Sequence, residues 1–231
     1  MAVGNRIYLK RELPDEETVK KFENIPAANI GDCINRNCAM ASRIKLMSSP
    51  EKPMLGVALT VKSREGDNLM IHKALKMAGK GDVIVVSNEE GVNRALIGEL
   101  MAATAEYNMA AGLVFDGPVR DIDNISKMKL PVYATGTTPG GPYKTGPGEI
   151  NVPISCGGVA VEPGDIIVGD SDGIVVIPKK DAASIIDAVL EKHAADTAGL
   201  EKSKTGKAKR EWVEAALEKA GCEIIDGTCN S

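Results

Sequence analysis

Three stretches set the frame of this chain. MLGVALTVKS (54–63), KGDVIVVS (80–87) and GLVFD (112–116) are apolar, β-branched and bounded by turn residues, the composition of buried β-strands. What lies between them has helical character. Asp67 can cap a helix that carries Leu69, His72, Leu75 and Met77, and RALIGELMAATAEY (94–107) has the Leu, Met and Ala content of a helix packed closely on a sheet. Gly98 sits inside that second helical stretch, at a cost of about 1 kcal/mol relative to Ala. Either the helix begins near Gly98 or something needs the glycine. A short helix at DIDNISKM and a strand at LPVYATG (130–136) continue the alternation. Its spacings are too short for separate domains and predict one α/β domain.

The flanks add three features. LPDEETVKKFENI predicts a first helix on the surface, packed on the body through Val19, Phe22 and Ile25. Residues 135–150, dense in Gly, Pro and Thr, predict an irregular surface loop of the kind that is often functional. Next, GGVAVEPGDIIVGDSDGIVVIP reads as three short strands joined by the turns EPGD and DSDG, so the later sheet should be antiparallel or mixed. From Lys179 the chain turns to two amphipathic helices. An apolar stripe of Trp212, Val213, Ala216 and Leu217 suits packing on another subunit or on the chain's own core. The expected organisation is a single domain over 1–231, with a core of about 25–178 and a helical extension over 179–231.

Composition narrows the function classes. Aromatics make up 3% of residues while glycine occupies 24 positions, so the core must be aliphatic, with closely approaching backbone. A net charge of −4 offers no basic field to a polyanion, which disfavours nucleic acid as a partner. No apolar run approaches the roughly 20 residues that span a bilayer, and the opening residues hold no apolar signal core. The expectation is therefore a cytoplasmic protein with no membrane partner. The five cysteines are an odd, scattered set without a CxxC pair, and neither His72 nor His193 lies near one at a metal-ligand spacing. Reduced thiols follow as the default.

No Ser-His-Asp constellation, GxxxxGK[ST] loop or GxGxxG after a strand is present, and two carboxylate-rich spots remain. In GELM (98–101), Gly98 would let the chain approach a ligand while the amides of Leu100 and Met101 point from a helix N-terminus at an anion. The alternative is a packing glycine followed by Glu99 as a first-turn acid. In DGPVRD, Asp121 suits a helix cap. It also suits a hard oxygen ligand for Mg²⁺, beside an Arg120 whose planar fork matches a carboxylate or keto oxygen. Asp116, Asp123, Asp165, Asp170 and Asp172 read as turn formers, His72 as a packed helix residue and His193 as a surface one.

GELMAATAEYNMAAGLVFDGPVRD, followed by LPVYATG, NVPISCGGVAVEPGDIIVGDSDGIVVIP and a helical tail, resembles the 4-hydroxy-4-methyl-2-oxoglutarate aldolase family, also called 4-carboxy-4-hydroxy-2-oxoadipate aldolase. That group shares its fold with the regulator of ribonuclease E activity, type A. The resemblance covers roughly residues 25–200 and implies a swivelling ββα-type domain with a mixed sheet and helical extensions at both termini. It also implies a class II lyase, dependent on Mg²⁺, Mn²⁺ or another divalent metal, that forms homotrimers or homohexamers with sites at subunit interfaces.

Residue by residue, Asp121 matches the metal-binding Asp, and Arg120 the Arg that holds the substrate and stabilises the pyruvate enolate. Leu100 and Met101, after Gly98, match the positions whose amides receive the pyruvate carboxylate, and Glu99 an acid that orients metal-bound water. The implied reaction breaks the C3–C4 bond of a 4-hydroxy-2-oxo acid through a metal-bound pyruvate enolate. The same chemistry implies oxaloacetate decarboxylation as a side activity. A neighbouring-subunit carboxylate should fall in the tail, where Glu191 and Asp196 are the candidates. Two other readings stay open: a non-catalytic ribonuclease regulator acting by protein–protein contact, and a lyase for a different 2-keto acid on the same site.

Overall fold

The computed structural model describes residues 3–89 and 91–229, and the first helix there is shorter than its periodicity suggests. It begins where Asp15 accepts the Thr18 amide at 3.1 Å and runs only from Glu16 to Lys20 as α1 (Glu16–Lys20). Phe22 and Ile25 are buried as expected, but beyond the helix, Phe22 in a turn and Ile25 just after it. Asn24 takes a left-handed φ of 61°, and the residue before Pro26 is biased away from helix. α2 (Ala27–Cys33) and the two-residue β1 (Lys45–Leu46) follow.

The expected strands then form in order as β2 (Met54–Ser63), β3 (Asp82–Ser87), β4 (Gly112–Phe115) and β5 (Val132–Ala134), with α3 (Leu69–Met77), α4 (Glu99–Tyr107) and α5 (Ile122–Ile125) between them. β2 to β5 are parallel neighbours, and β1 lies antiparallel on the β5 edge. The remaining strands are β6 (Gly148–Ile150), β7 (Ile154–Cys156), β8 (Val159–Val161), β9 (Ile166–Gly169) and β10 (Ile174–Ile177). The first half of β2 pairs antiparallel with β9 and its last three residues with β6, which explains its ten-residue length. β9 and β10 form the hairpin that DSDG encodes, β7 and β8 a separate one. The result is a mixed α/β sheet in the order β1-β5-β4-β3-β2-β9-β10.

The apolar run of the central strands is continuous because both faces are covered. Leu59, Val61, Ile84, Val86, Leu113 and Phe115 meet α3 and α4, while Val83, Val85 and Val114 meet Met40, Ile44 and the β7–β8 hairpin. A third cluster joins α2 to β9 and β10 around Phe22, Ile30 and Ile166. α3 is rotated from expectation: it buries Met70, Ile71, Ala74 and Leu75, while Leu69 is exposed. Its N-cap is Asn68, and Asp67 accepts the Leu69 amide at 2.9 Å.

α6 (Ala182–Lys204) and α7 (Trp212–Lys219) close the chain, which divides into compact units of 1–193 and 194–231. No residue of α7 is buried, Trp212 included. No helix among the described residues is long and apolar enough to cross a membrane.

Candidate active site

Parallel pairing of β3 with β4 carries their outgoing segments side by side. Leu96 N–H donates to Pro118 O at 2.9 Å, and Arg120 N–H donates to Ile97 O at 3.0 Å. The 136–138 segment joins as a third rung, with Val119 N–H on Gly136 O and Thr138 N–H on Val119 O, each at 3.0 Å. These bonds place the start of α4 against the RD pair.

Gly98 is the N-cap of α4 in an extended conformation and has no side chain to cap it. The missing cap comes from another segment: Asp121 Oδ2 accepts the Glu99 amide at 3.0 Å. Asp121 is itself the N-cap of α5, with φ 58°, yet its side chain makes no capping bond there. The carboxylate thus crosses to the neighbouring helix start and lies 3.8 Å from Arg120 Nε. A Cβ at position 98 would fall on Asp121 Oδ2 and 3.1 Å from Arg120 Nε, so the glycine is a steric requirement of this crossing. Both openings left for Gly98 hold at once: the helix begins there, and the space is needed.

Gly98, Leu100, Met101, Arg120 and Asp121 line one cavity of about 380 Å³. Arg120 and Asp121 also face a second recess of about 450 Å³ with Asp123, Thr137 and Thr138, so the guanidinium stands between two spaces. Glu99 lines neither; its Oε2 accepts Asn124 Nδ2 at 2.8 Å, which tethers it to α5. Of the two expected anion-binding amides, that of Met101 donates to Gly98 O at 3.1 Å. The Leu100 amide lies in the first turn, where no intrahelical carbonyl is available.

Two lining residues, Asn68 and Lys144, escaped the sequence reading, and His72, read there as a packed helix residue, lines the cavity with them. Asn68 and His72 sit one turn apart at the start of α3, where His72 N–H donates to Asn68 O at 3.0 Å. Spacing alone gives that pair little signal. Burial, reinforced by Lys144 and Lys76, lowers the His72 pKa and favours its neutral form. Asn68 is 2% exposed, and its Nδ2 donates to Leu96 O at 3.0 Å while its Oδ1 has no partner among the described residues. An unpaired buried acceptor in a cavity wall is an opening for a ligand hydroxyl or water.

The 135–150 loop is better ordered than its composition suggests. Arg94 Nη1 donates to Gly141 O at 2.8 Å and its guanidinium stacks 3.9 Å from the Tyr143 ring centroid. Asp67 Oδ2 accepts the amides of Thr145 and Gly146, each at 2.8 Å. Burial raises the Asp67 pKa, but those amides, that of Leu69 and Arg64 outweigh it and hold the carboxyl below its ordinary value. The loop is thereby fixed as a wall of the cavity.

Asp116 corrects the turn-former expectation. It is buried, accepts Arg43 Nη2 at 2.9 and 3.0 Å through its two oxygens, and takes the Gly157 amide at 2.8 Å. Asp165 is likewise buried, bracing the EPGD turn through the Glu162 and Lys179 amides.

Among the described residues there is no cluster of three or more His, Cys, Asp or Glu able to hold a metal ion, and Asp121 is the only carboxylate in the 380 Å³ cavity wall. Its Oδ1 has no partner among the described residues, and its side chain is 43% exposed. A single open hard oxygen fits a largely hydrated cation such as Mg²⁺, which takes one or two carboxylates and keeps several waters.

Comparison with known proteins agrees with this architecture. Residues 27–176 match the RraA-like family model, described as Aldolase/RraA. A Halalkalibacterium halodurans protein named "Putative 4-hydroxy-4-methyl-2-oxoglutarate aldolase" is 39% identical over 180 residues, covering 78% of this chain and 85% of that protein. The RNA-processing inhibitor RraA from Thermus thermophilis aligns with a TM-score of 0.61 and 28% identity over 66% of this chain and 92% of its own. An uncharacterized Pseudomonas syringae protein aligns with a TM-score of 0.75 over 85% of this chain and 96% of its own, and at 23% identity shows the fold alone. With its sheet, its crossed GELM and RD segments and 65% of its length inside the matched region, the chain belongs to the RraA-like (Aldolase/RraA) family.

Proposed function

We propose that the chain is a carbon–carbon lyase that cleaves 4-hydroxy-4-methyl-2-oxoglutarate or 4-carboxy-4-hydroxy-2-oxoadipate to release pyruvate, with the help of a divalent metal. The observation that carries this reading is the convergence of Arg120, Asp121 and the first turn of α4 on one cavity. The reaction needs an anion site for the substrate carboxylate, a cation for the enolate oxygen and a base for the C4 hydroxyl.

The first turn of α4, with the Leu100 amide, suits the carboxylate. The Arg120 fork suits the keto oxygen, where negative charge grows as the C3–C4 bond breaks and its electron pair moves into the enolate. The unpartnered Asn68 Oδ1 suits acceptance of the substrate hydroxyl, and neutral His72 lines the same wall as a candidate to receive that proton. C4 leaves as a ketone, and protonation of the enolate at C3 gives pyruvate. Glu99, tethered by Asn124, is the candidate to order the water that supplies this proton. Asp121 would hold Mg²⁺ or Mn²⁺, which when bound adds positive charge beside the keto acid. Family membership supports a homotrimer or homohexamer with sites at subunit interfaces, for which Glu191 and Asp196, both on α6, are candidate contributors.

The test is pyruvate release from each hydroxy-oxo acid, and from oxaloacetate as the side reaction, with Mg²⁺ or Mn²⁺ and after EDTA. Metal-restored activity supports the reading; inactivity on all three substrates with metal present overturns it. The similarity to the RNA-processing inhibitor of Thermus thermophilis favours a second reading, a regulator acting by protein contact. Inhibition of a ribonuclease by Arg120→Ala protein lacking lyase activity would support that alternative.

A further inference from the structure

A separate recess, of about 490 Å³, lies where the N-terminal segment runs along the end of β6. Tyr8 N–H donates to Ile150 O at 3.1 Å and Ile150 N–H to Arg6 O at 3.0 Å, which fixes that segment as one wall. The lining is strongly cationic for a chain of net charge −4: Arg6, Lys10, Arg11, Lys62 and Lys179 face Glu12 and Glu149. Arg6 pairs with Glu149 at 2.7 Å, Lys179 with Glu162 at 3.4 Å, and Arg11 with Asp82. Lys10 and Lys62 have no carboxylate within ion-pair distance among the described residues.

Two buried polar atoms of this lining also lack partners among the described residues: Arg11 Nε, a donor, and Asn151 Oδ1, an acceptor. Asn151 is 8% exposed, and its Nδ2 donates to Tyr8 O at 2.8 Å, which fixes the amide orientation and leaves Oδ1 as the unused end. Buried groups of this kind are normally satisfied by a ligand or water.

An unused acceptor, an unused donor and two unpaired ammonium groups in one concavity describe a complementary molecule. We propose that this recess binds a small hydroxylated polyanion, a hydroxy-polycarboxylate or a phosphorylated polyol. Its hydroxyl donates to Asn151 Oδ1, an anionic oxygen accepts from Arg11 Nε, and Lys10 and Lys62 balance the remaining charge. The site shares no lining residue with the Arg120 cavity and does not depend on the lyase reading.

Titration calorimetry on the full chain tests this with citrate, glucose 6-phosphate, tricarballylate and inorganic phosphate. Citrate or glucose 6-phosphate should bind at one site per chain and weaken as salt rises; which of them binds identifies the anion. Tricarballylate, with the charge of citrate but no hydroxyl, should bind roughly tenfold more weakly, the worth of one hydrogen bond to a buried acceptor. Lys10→Ala/Lys62→Ala, at two exposed positions, should weaken binding at least tenfold, whereas Arg120→Ala should leave it unchanged. The proposal is overturned if neither citrate nor glucose 6-phosphate binds, or if the double variant binds like the parent. Loss of binding in Arg120→Ala also overturns it, and tricarballylate binding as tightly as citrate removes the hydroxyl from it.

Discussion

Asp116 and Asp121 lie five residues apart after the same strand, each beside an arginine and a glycine, and the fold puts them to opposite uses. Asp116 is 4% exposed, and Arg43 and the Gly157 amide between them engage both of its oxygens. Asp121 is 43% exposed on its side chain, gives one oxygen to the Glu99 amide and has no partner for the other among the described residues. A carboxylate saturated by internal donors ties elements together and has nothing left for chemistry. One that is half satisfied at the rim of a cavity is available to a ligand. The number of internal donors, more than the residue type, separates the structural acid from the one proposed to act in the reaction.

The contrast breaks most visibly at Asp121. Asp121→Ala should lower pyruvate release roughly a hundredfold or more, the scale of losing one preorganised charge in a site, and cost only about 1 kcal/mol of stability, the worth of the exposed cap it gives to α4. Arg120→Lys should fall almost as far, since an ammonium cannot reproduce the fork. Asp116→Asn should do the reverse, costing about 2–4 kcal/mol in chemical denaturation because Arg43 and the Gly157 amide lose a charged acceptor. If both variants lose activity and stability alike, the division between the two acids fails.

Gly98→Ala sharpens the comparison from the backbone side. Position 98, at φ −132°, tolerates any residue sterically by its backbone, so the penalty is the collision with Asp121 and the tight approach to Arg120. Steady-state kinetics should show a loss of about tenfold or more, with a stability cost of about 1–3 kcal/mol from overpacking.

The smallest effect belongs to a third acid. The Asp67 carboxyl is held below its ordinary pKa, so the stability it contributes is present above the unfolded value near 3.9 and is lost as pH falls through the lower folded value. Asp67→Asn should therefore be less stable than the parent by about 1–3 kcal/mol at neutral pH, and the gap should close in acid. A gap that stays constant with pH would show that the charge of Asp67 is not what secures the loop.

Much of the sheet was legible because its strands are apolar on both faces, a pattern that survives without knowledge of partners: the stretch read at 54–63 forms the strand Met54–Ser63. The face of α3 was not, because Leu69 and Met70 are equally apolar and only the packing decides which turns inward. At the candidate site, Gly98, Leu100, Met101, Arg120 and Asp121 were named from local motifs and resemblance, and the fold brings them to one cavity. Asn68, His72 and Lys144 stand 30, 26 and 46 residues from Gly98 in the chain, and nothing in their own neighbourhoods announces the meeting. The same holds for Asp116, whose partners Arg43 and Gly157 are 73 and 41 residues distant.

The crossing of Asp121 to the start of α4 has a consequence for exchange. Because Oδ2 already accepts the Glu99 amide, Oδ1 is the more open oxygen for the cation of the proposed reaction. A one-point attachment there would grip loosely and discriminate little by ionic radius, so residence would be brief and occupancy would follow the free concentration of whichever divalent ion the surroundings supply.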